Sequence, residues 1–420
     1  MDRSIRETLP PQRLLHISAW LMLILLIGPL YLRIALVDPV DFQQGGLGAA
    51  DFKAYYVAAR LLGEGQVIYD IGLQSAENAR LGLTPDDTFY VYPPLLALLM
   101  TPPASSLSLA EAAVVWNTFN FVLLMAIVLL VSALFGLRRR LGDTFPWFVL
   151  LFALAVPTFE GLRIGQANIL TLFLVLAALY AERRGRSSLA AVALAFAFLL
   201  KLFPAVLLLW FAWRREWRPL LVWGVTVGVV LLLSAVSYVI FGVGANLDLY
   251  YALYVLPNLS APQPLDNQSL AGVLTRAAPG APLRTVILAT ASLLIVAVTL
   301  FGFARAARPR RFLLAAAILL NASLLVVTIT WTTTLVFLLI SFAVLLTEER
   351  FLGRPPVAAA VLFMAYGLLS GTRILAMSGI PFAHHPILSS LPFFSSLLLW
   401  GALAVLAITT PRAPLRNEPR

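Results

Sequence analysis

The sequence contains no cysteine. Disulfides, thiolate-bound metals and thiol nucleophiles are therefore excluded, and the redox compartment cannot be read from the composition. Charge is scarce, with Asp, Glu, Lys and Arg together making up 12% of the chain. Low-complexity tracts and short-period repeats are absent. Acidic residues nowhere cluster at metal-ligand spacing, and the adjacent His384 and His385 have no obvious third partner.

What is abundant is apolar surface. Hydrophobic residues account for 60% of the 420 positions, and many stand in runs of about twenty, the length that crosses a bilayer as a helix. The formal charge of +10 raises the question of a nucleic-acid partner. The basic residues, however, gather between the apolar runs: Arg138, Arg139 and Arg140; Arg183, Arg184 and Arg186; Arg214, Arg215 and Arg218; Arg305, Arg308, Arg310 and Arg311. The positive-inside rule leaves this pattern on cytoplasmic loops, so the basicity reports topology and no nucleic acid is implied. The first run follows Arg3, Arg6 and Arg13. It is long for a signal-peptide core and has no clear cleavage site after it, so it reads as an uncleaved span.

Apolar runs cover 14–36, 108–136, 144–160, 166–181, 188–200, 203–213, 219–242, 284–304, 312–328, 332–347, 356–373 and 388–410. Residues 188–213 are continuous, yet basic clusters flank both ends. Two full crossings need about forty residues, so the chain is expected to turn near mid-membrane between two short helices. Pro204, which has no amide hydrogen for the helix, supports the break. The expectation is one all-α, polytopic membrane domain over residues 1–420. It has about twelve membrane segments, short re-entrant-type helices among them, and both termini are cytoplasmic. Two long loops, 37–107 and 243–283, fall on the extracytoplasmic face and carry much of the polar chemistry; ordered loops of that length are usually functional.

In "ADFKAYYVAAR", Asp51 with Tyr55 and Tyr56 with Arg60 are four apart and share helix faces. Locally, Asp51 reads equally well as a helix N-cap or as a functional carboxylate. After it come "YVYPPLLALLM", "VVWNTFN", "RIGQANIL", "AFLLKLFPAV" and "DNQSLAGVLTR". In that order the pieces resemble glycosyltransferase family 87, the polyprenol-phosphate-mannose-dependent mannosyltransferases of the GT-C membrane fold. The matching positions are Asp51, Tyr55, Tyr56, Tyr92, Pro93, Pro94, Trp116, Asn117, Gly165, Gln166, Asn168, Lys201 and Pro204, with Asn267 and Gln268 further on. The resemblance covers 40–280 and fades beyond. One departure stands out: the family often has histidine just after a later Trp, and here Trp331 is followed by Thr332, Thr333 and Thr334. His384 or His385, in another loop, are candidates to compensate.

The resemblance implies a sugar donor on a polyprenyl phosphate and an extracytoplasmic glycolipid or glycan acceptor, in the inner or plasma membrane. It carries the role of general base onto Asp51. Such a carboxylate takes the acceptor proton, and one suffices for inversion, unlike the paired carboxylates of most glycoside hydrolases. Asp41, Asp70, Asp86 and Asp87 are rivals without the motif context. Cations aimed at the leaving phosphate would stabilise its charge, and the candidates are Arg163, Lys201 and Arg276. A lysine inside an apolar stretch is a functional candidate by default, unless it snorkels to an interface. Gln166, Asn168, Asn267 and Gln268 are candidate sugar ligands or structural polar residues. Tyr55, Tyr56 and Tyr92 are sugar platforms or an aromatic belt. No cofactor and no obligatory metal are expected, since a lipid monophosphate leaving group needs a divalent ion less than a nucleotide diphosphate does. The competing readings are a polysaccharide polymerase or ligase and a lipid-linked-sugar transporter. Against the second, no matching copy of "KLFP" marks a repeated half.

Overall fold

The computed structural model describes residues 11–38, 50–84, 89–240, 266–277, 283–382 and 385–409. Asp41, Asp86, Asp87 and His384 lie outside the described residues, as does most of the 243–283 loop. Among the described residues the structure is helical apart from turns and one isolated β-bridge, Asn267 with Trp331. Among the described residues, six helices are long and apolar enough to cross a membrane, and shorter apolar helices lie between them. The protein is thus an all-α, multi-pass membrane protein.

Helices α1 (Pro11–Met22) and α2 (Gly28–Leu36), joined by a π-helical turn over Leu23–Ile27, form the first span. Three helices of the first loop follow: α3 (Ala50–Gly63), α4 (Ile71–Arg80) and α5 (Pro94–Ser106). They close around a buried aromatic cluster of Phe52, Tyr55, Tyr56, Tyr69, Tyr90 and Tyr92, with Trp116 from the next span. Each buried tyrosine hydroxyl needs a partner: Tyr69 donates to the Tyr92 carbonyl at 2.9 Å and Tyr56 to that of Leu107 at 2.8 Å. Asp70 is the N-cap of α4, accepting from the Leu73 amide.

Span α6 (Leu109–Phe135) opens with a capping box between Ser108 and Glu111, which satisfies two orphan amides reciprocally. Next come α7 (Phe145–Leu154) and α8 (Val156–Arg163), bent by 53°. Ala155 is extended at the bend and Pro157 follows within the first turn of α8.

Helices α9 (Asn168–Arg183) and α10 (Ser187–Leu200) pack side by side. At Lys201 the chain becomes extended, then continues as a 3-10 turn over Phe203–Leu207 and α11 (Leu208–Trp213). Trp210 donates to Glu182 at the far end of α9, so the chain has entered and returned, as the flanking arginines required. The tip of this hairpin reaches the loop layer, where Leu200 joins the aromatic cluster.

After α12 (Trp217–Ile240), α13 (Leu270–Ala277) and α14 (Arg284–Ala306), a second hairpin appears that no proline announces. Here α15 (Phe312–Val326) is followed by extended residues, a 3-10 turn over Thr332–Phe337 and α16 (Leu338–Leu345). The run "VVTITWTTT" is rich in β-branched residues, which lose side-chain freedom in a helix and suit extended backbone. The last spans are α17 (Pro355–Met377) and α18 (Leu391–Thr409).

Candidate active site

Gly165 organises the site. Its φ of +71° is left-handed, and an added Cβ would lie 2.8 Å from that of Phe52, so glycine is required on both counts. The Trp116 indole donates to the Gly165 carbonyl at 2.7 Å. The preceding carbonyl, of Ile164, accepts from the backbone amides of Asp51 and Phe52 at 2.9 and 3.3 Å. The first turn of α3 is thereby pinned to the α8–α9 corner by backbone alone. Asp51 is the second helical residue, and its carboxylate accepts from the Gln166 amide nitrogen and lines a cavity.

Gln166 is itself oriented. The Tyr92 hydroxyl donates to its carbonyl oxygen at 3.2 Å, which leaves the amide nitrogen for Asp51. Behind Tyr92, the Lys201 ammonium stands 5.5 Å from the ring centre, within reach of a cation–π interaction. Lys201, Tyr92, Gln166 and Asp51 thus form one chain of contacts running from the hairpin tip to the cavity. Tyr55 buttresses it, its hydroxyl accepting from the Ala167 amide at 3.3 Å.

The cavity, of about 810 Å³, is walled by the α8–α9 corner, the tip of the second hairpin, the end of α17 and residues Phe382 and Ser389 ahead of α18. Of the residues singled out in the sequence, Asp51, Arg163, Gln166, Gln268 and Trp331 line it. Gln268 and the others are held by the protein around the cavity. Asn168 donates to the Thr333 hydroxyl at 3.1 Å, tying α9 to the second hairpin. Asn267 donates to the Thr328 carbonyl and accepts from the amides of Ser269 and Thr330. Gln268 is held by the Ser389 carbonyl and the Phe393 amide, and Arg276 by the Asn267 carbonyl and the Ser390 hydroxyl. These three clamp the end of the large loop onto the second hairpin and the start of α18. Tyr56 points to Leu107, away from the cavity. His385 is exposed, its ring accepting from the Leu388 amide.

Three charged wall residues escaped the sequence reading: Glu160, Asp266 and Arg373. Glu160 pairs with Arg163 at 2.6 Å and with Arg373 of α17, so one carboxylate fixes two guanidinium groups at the cavity edge. The Arg373 guanidinium also stacks 4.7 Å above the Phe159 ring. A signal for Arg373 was available, since it is a basic residue at the end of a span opposite the arginine clusters. Asp266 faces the cavity, and the protein packed around it partly desolvates its carboxyl; that desolvation, helped by nearby Glu160, pushes the carboxyl up, while Arg276 opposes.

The same elements also wall an apolar groove of about 550 Å³ that runs down the bundle. On α17, Leu362, Tyr366 and Leu369 line the groove, and Thr372 and Arg373, on the next turn, line the cavity. Likewise Pro157 and Thr158 give way to Glu160 and Arg163 on α8, and Leu335 and Val336 to Trp331 and Thr333 on the second hairpin.

A multi-pass chain with three carboxylates, two arginines and buried amides around a cavity at one end suits a membrane-embedded transferase, and comparison with known proteins makes it a membrane glycosyltransferase. Residues 90–330 match the model of glycosyltransferase family 87, and the chain belongs to that family. Over 315 residues it is 28% identical to the polyprenol-phosphate-mannose-dependent alpha-(1-2)-phosphatidylinositol mannoside mannosyltransferase of Mycobacterium tuberculosis (strain ATCC 25618 / H37Rv), covering 69% of this chain and 68% of that protein. Asp51 precedes the segment matched by the family model and Arg373 follows it.

Proposed function

We propose that the protein transfers a hexose, mannose by resemblance, from a polyprenyl phosphate to a glycolipid or glycan acceptor. The reaction inverts the anomeric carbon and takes place on the extracytoplasmic face of the plasma membrane. The name of the mycobacterial relative supports the donor class. The observation that carries the reading is the adjacency, along α8, the second hairpin and α17, of a cavity bearing charged side chains and an apolar groove. A donor with a charged sugar head and a long hydrocarbon tail has that amphipathic shape.

In this reading the acceptor hydroxyl loses its proton to Asp51 as its oxygen attacks the anomeric carbon. The bond from that carbon to the phosphate oxygen breaks, and its electron pair leaves on the phosphate. On this proposal the charge gathers toward Arg163 and Arg373, both paired with Glu160 at the cavity edge; fixed cations aimed at developing charge lower the barrier without reorganising. Gln166 holds the Asp51 carboxylate in one orientation, and Lys201 adds positive potential from behind Tyr92. No metal is needed for this charge balance, so activity is expected to survive EDTA.

The test is transfer from radiolabelled polyprenyl-phosphate mannose by purified protein, with a native lipid extract as acceptor. Loss of a general base costs about 10²–10⁴-fold, so Asp51→Asn should lose most activity while keeping its melting temperature. Asp266→Asn, run beside it, should retain activity within about tenfold. Activity that survives in Asp51→Asn and vanishes in Asp266→Asn would move the base to the other carboxylate. A wild type inactive on mannose and on a panel of other lipid-linked sugars would sink the donor class.

A further inference from the structure

Helix α9 begins beside Asp51 and ends at Glu182 and Arg183, sixteen residues later. At 1.5 Å per residue that is about 24 Å, so Glu182 marks the opposite end of the bundle. A second cavity, of about 600 Å³, lies there. Five arginines line it, Arg140, Arg183, Arg214, Arg311 and Arg350, against Glu182, Glu348 and Glu349.

The carboxylates are partly spoken for. Glu182 accepts from Trp210 and pairs with Arg214 at 3.3 Å. Glu349 reaches Arg140 only at 3.9 Å, from an exposed position. Arg311 has Arg350 and Arg308 as like-charged neighbours. Burial pulls its guanidinium below the ordinary value, Glu348 opposes, and the two arginines add to the pull. A site with this excess of guanidinium groups, some of them crowded together, is complementary to phosphate.

Arg350 is shared with a third cavity, a mostly apolar groove of about 860 Å³ between α17 and α18. Arg350 and Arg354 stand at its head, and Val357, Val361, Leu398 and Val405 line its length. Gly401 contributes depth, since a Cβ there would meet no atom within 4 Å. The juxtaposition is a charged chamber opening onto a hydrocarbon-lined groove, at the end of the bundle that carries the arginine clusters. Basic pockets between helices on the cytoplasmic side bind anionic lipid headgroups.

We propose that the chamber and groove bind one anionic phospholipid from the leaflet opposite the catalytic cavity. Its phosphate sits among Arg311, Arg350 and Arg183, and its acyl chains lie along α17 and α18. Helix α16 with the 3-10 turn before it, and α17, run from this lipid to Trp331 and Arg373 at the catalytic cavity, so occupancy braces the walls of both. The site is independent of which sugar is transferred.

The experiment uses the full chain in detergent, stripped of lipid and titrated with phosphatidylglycerol or with phosphatidylcholine of the same acyl chains. Binding is read by native mass spectrometry and by melting temperature. Phosphatidylglycerol should bind at least about tenfold more tightly and raise the melting temperature, and the Arg311→Gln/Arg350→Gln double variant should lose that preference, about 1.4 kcal/mol. Gly401→Leu, which fills the groove and leaves every arginine in place, should weaken phosphatidylglycerol by a similar factor and provides a second readout if the double variant does not fold. Equal binding of phosphatidylcholine would overturn the proposal. So would an equal response to soluble glycerol phosphate, which would make the chamber a site for free phosphate compounds, and so would a Gly401→Leu protein that binds as wild type does.

Discussion

The two broken hairpins, α10–α11 and α15–α16, are built alike and end differently. In each, a helix of fourteen or fifteen residues rises, a 3-10 turn of five or six follows, and a short helix returns. They pack against each other, Phe203 on Phe337 at 4.8 Å and Trp210 beside Phe312 at 4.7 Å. At the first tip the backbone is extended at Lys201 and re-enters a helical turn within two residues, setting the ammonium against Tyr92. At the second, extended backbone around Thr330 and Trp331 bonds with the arriving loop: Gln268 donates to the Thr330 carbonyl and Thr332 to that of Asp266. Irregular backbone at membrane depth must be covered by protein or line a wet cavity. The first hairpin uses its break to deliver a cation, the second to dock an extended loop segment.

That contrast predicts opposite kinds of damage. Lys201→Met should cut kcat by about 10²-fold, the scale for losing one electrostatic donor, with little change in melting temperature. Measuring kcat and KM separately decides it: a large stability loss with unchanged kcat would make Lys201 a structural residue and erase the contrast. Asn267→Ala should do the reverse. It strands the amides of Ser269 and Thr330, while the Thr328 carbonyl keeps the Ser269 hydroxyl, at a cost of about 2–3 kcal/mol, read as a lower melting temperature, while the folded fraction keeps most of its activity.

The sequence made the first hairpin legible and left the second in shadow for a physical reason. Basic flanks and Pro204 are local signals, and the turn between them follows from length alone. The second break arises from a β-branched run whose hydrogen-bonding partner segment lies more than sixty residues earlier. A local reading sees only an apolar segment with threonines. The site divides in the same way. Gly165, Gln166, Trp116 and Asp51 are found together by motif order, and Gly165 is where they meet. Glu160 and Arg373 are separated by 213 positions, so their pairing has no trace in either neighbourhood. Asn267, Gln268 and Arg276 read as polar loop residues in the sequence; the structure adds hydrogen bonds that hold all three to other parts of the protein, and Gln268 also lines the cavity.

A smaller effect tests what makes the breaks. The second hairpin breaks without proline, so Pro204 is expected to reinforce the first break and not to create it. Pro204→Ala should cost only about 0.4–1 kcal/mol, mostly through greater freedom of the unfolded chain, and should leave the Lys201 contact with Tyr92 and the activity in place. If instead the variant loses activity in proportion to Lys201→Met, helix has propagated through the tip and proline was the cause.

The subtlest expected effect belongs to the docked segment, at Asp266. Its carboxyl titrates above the ordinary value because burial, and then Glu160, disfavour the charged form. A raised carboxyl pKa means that the folded state holds its proton more tightly than the unfolded chain does. The associated stability is therefore complete below the unfolded pKa and is lost as pH rises through the folded one. Wild-type melting temperature should carry a downward component over that interval, which starts near the ordinary value of 3.8. In Asp266→Asn this component should vanish, leaving the variant flatter with pH and relatively more stable at neutral pH, with the same backbone pairing since only the Asp266 backbone carbonyl meets Thr332. A variant whose pH profile parallels the wild type would show that the docked segment is as well solvated as the open loop, and that only the first tip carries a charge into a desolvated place.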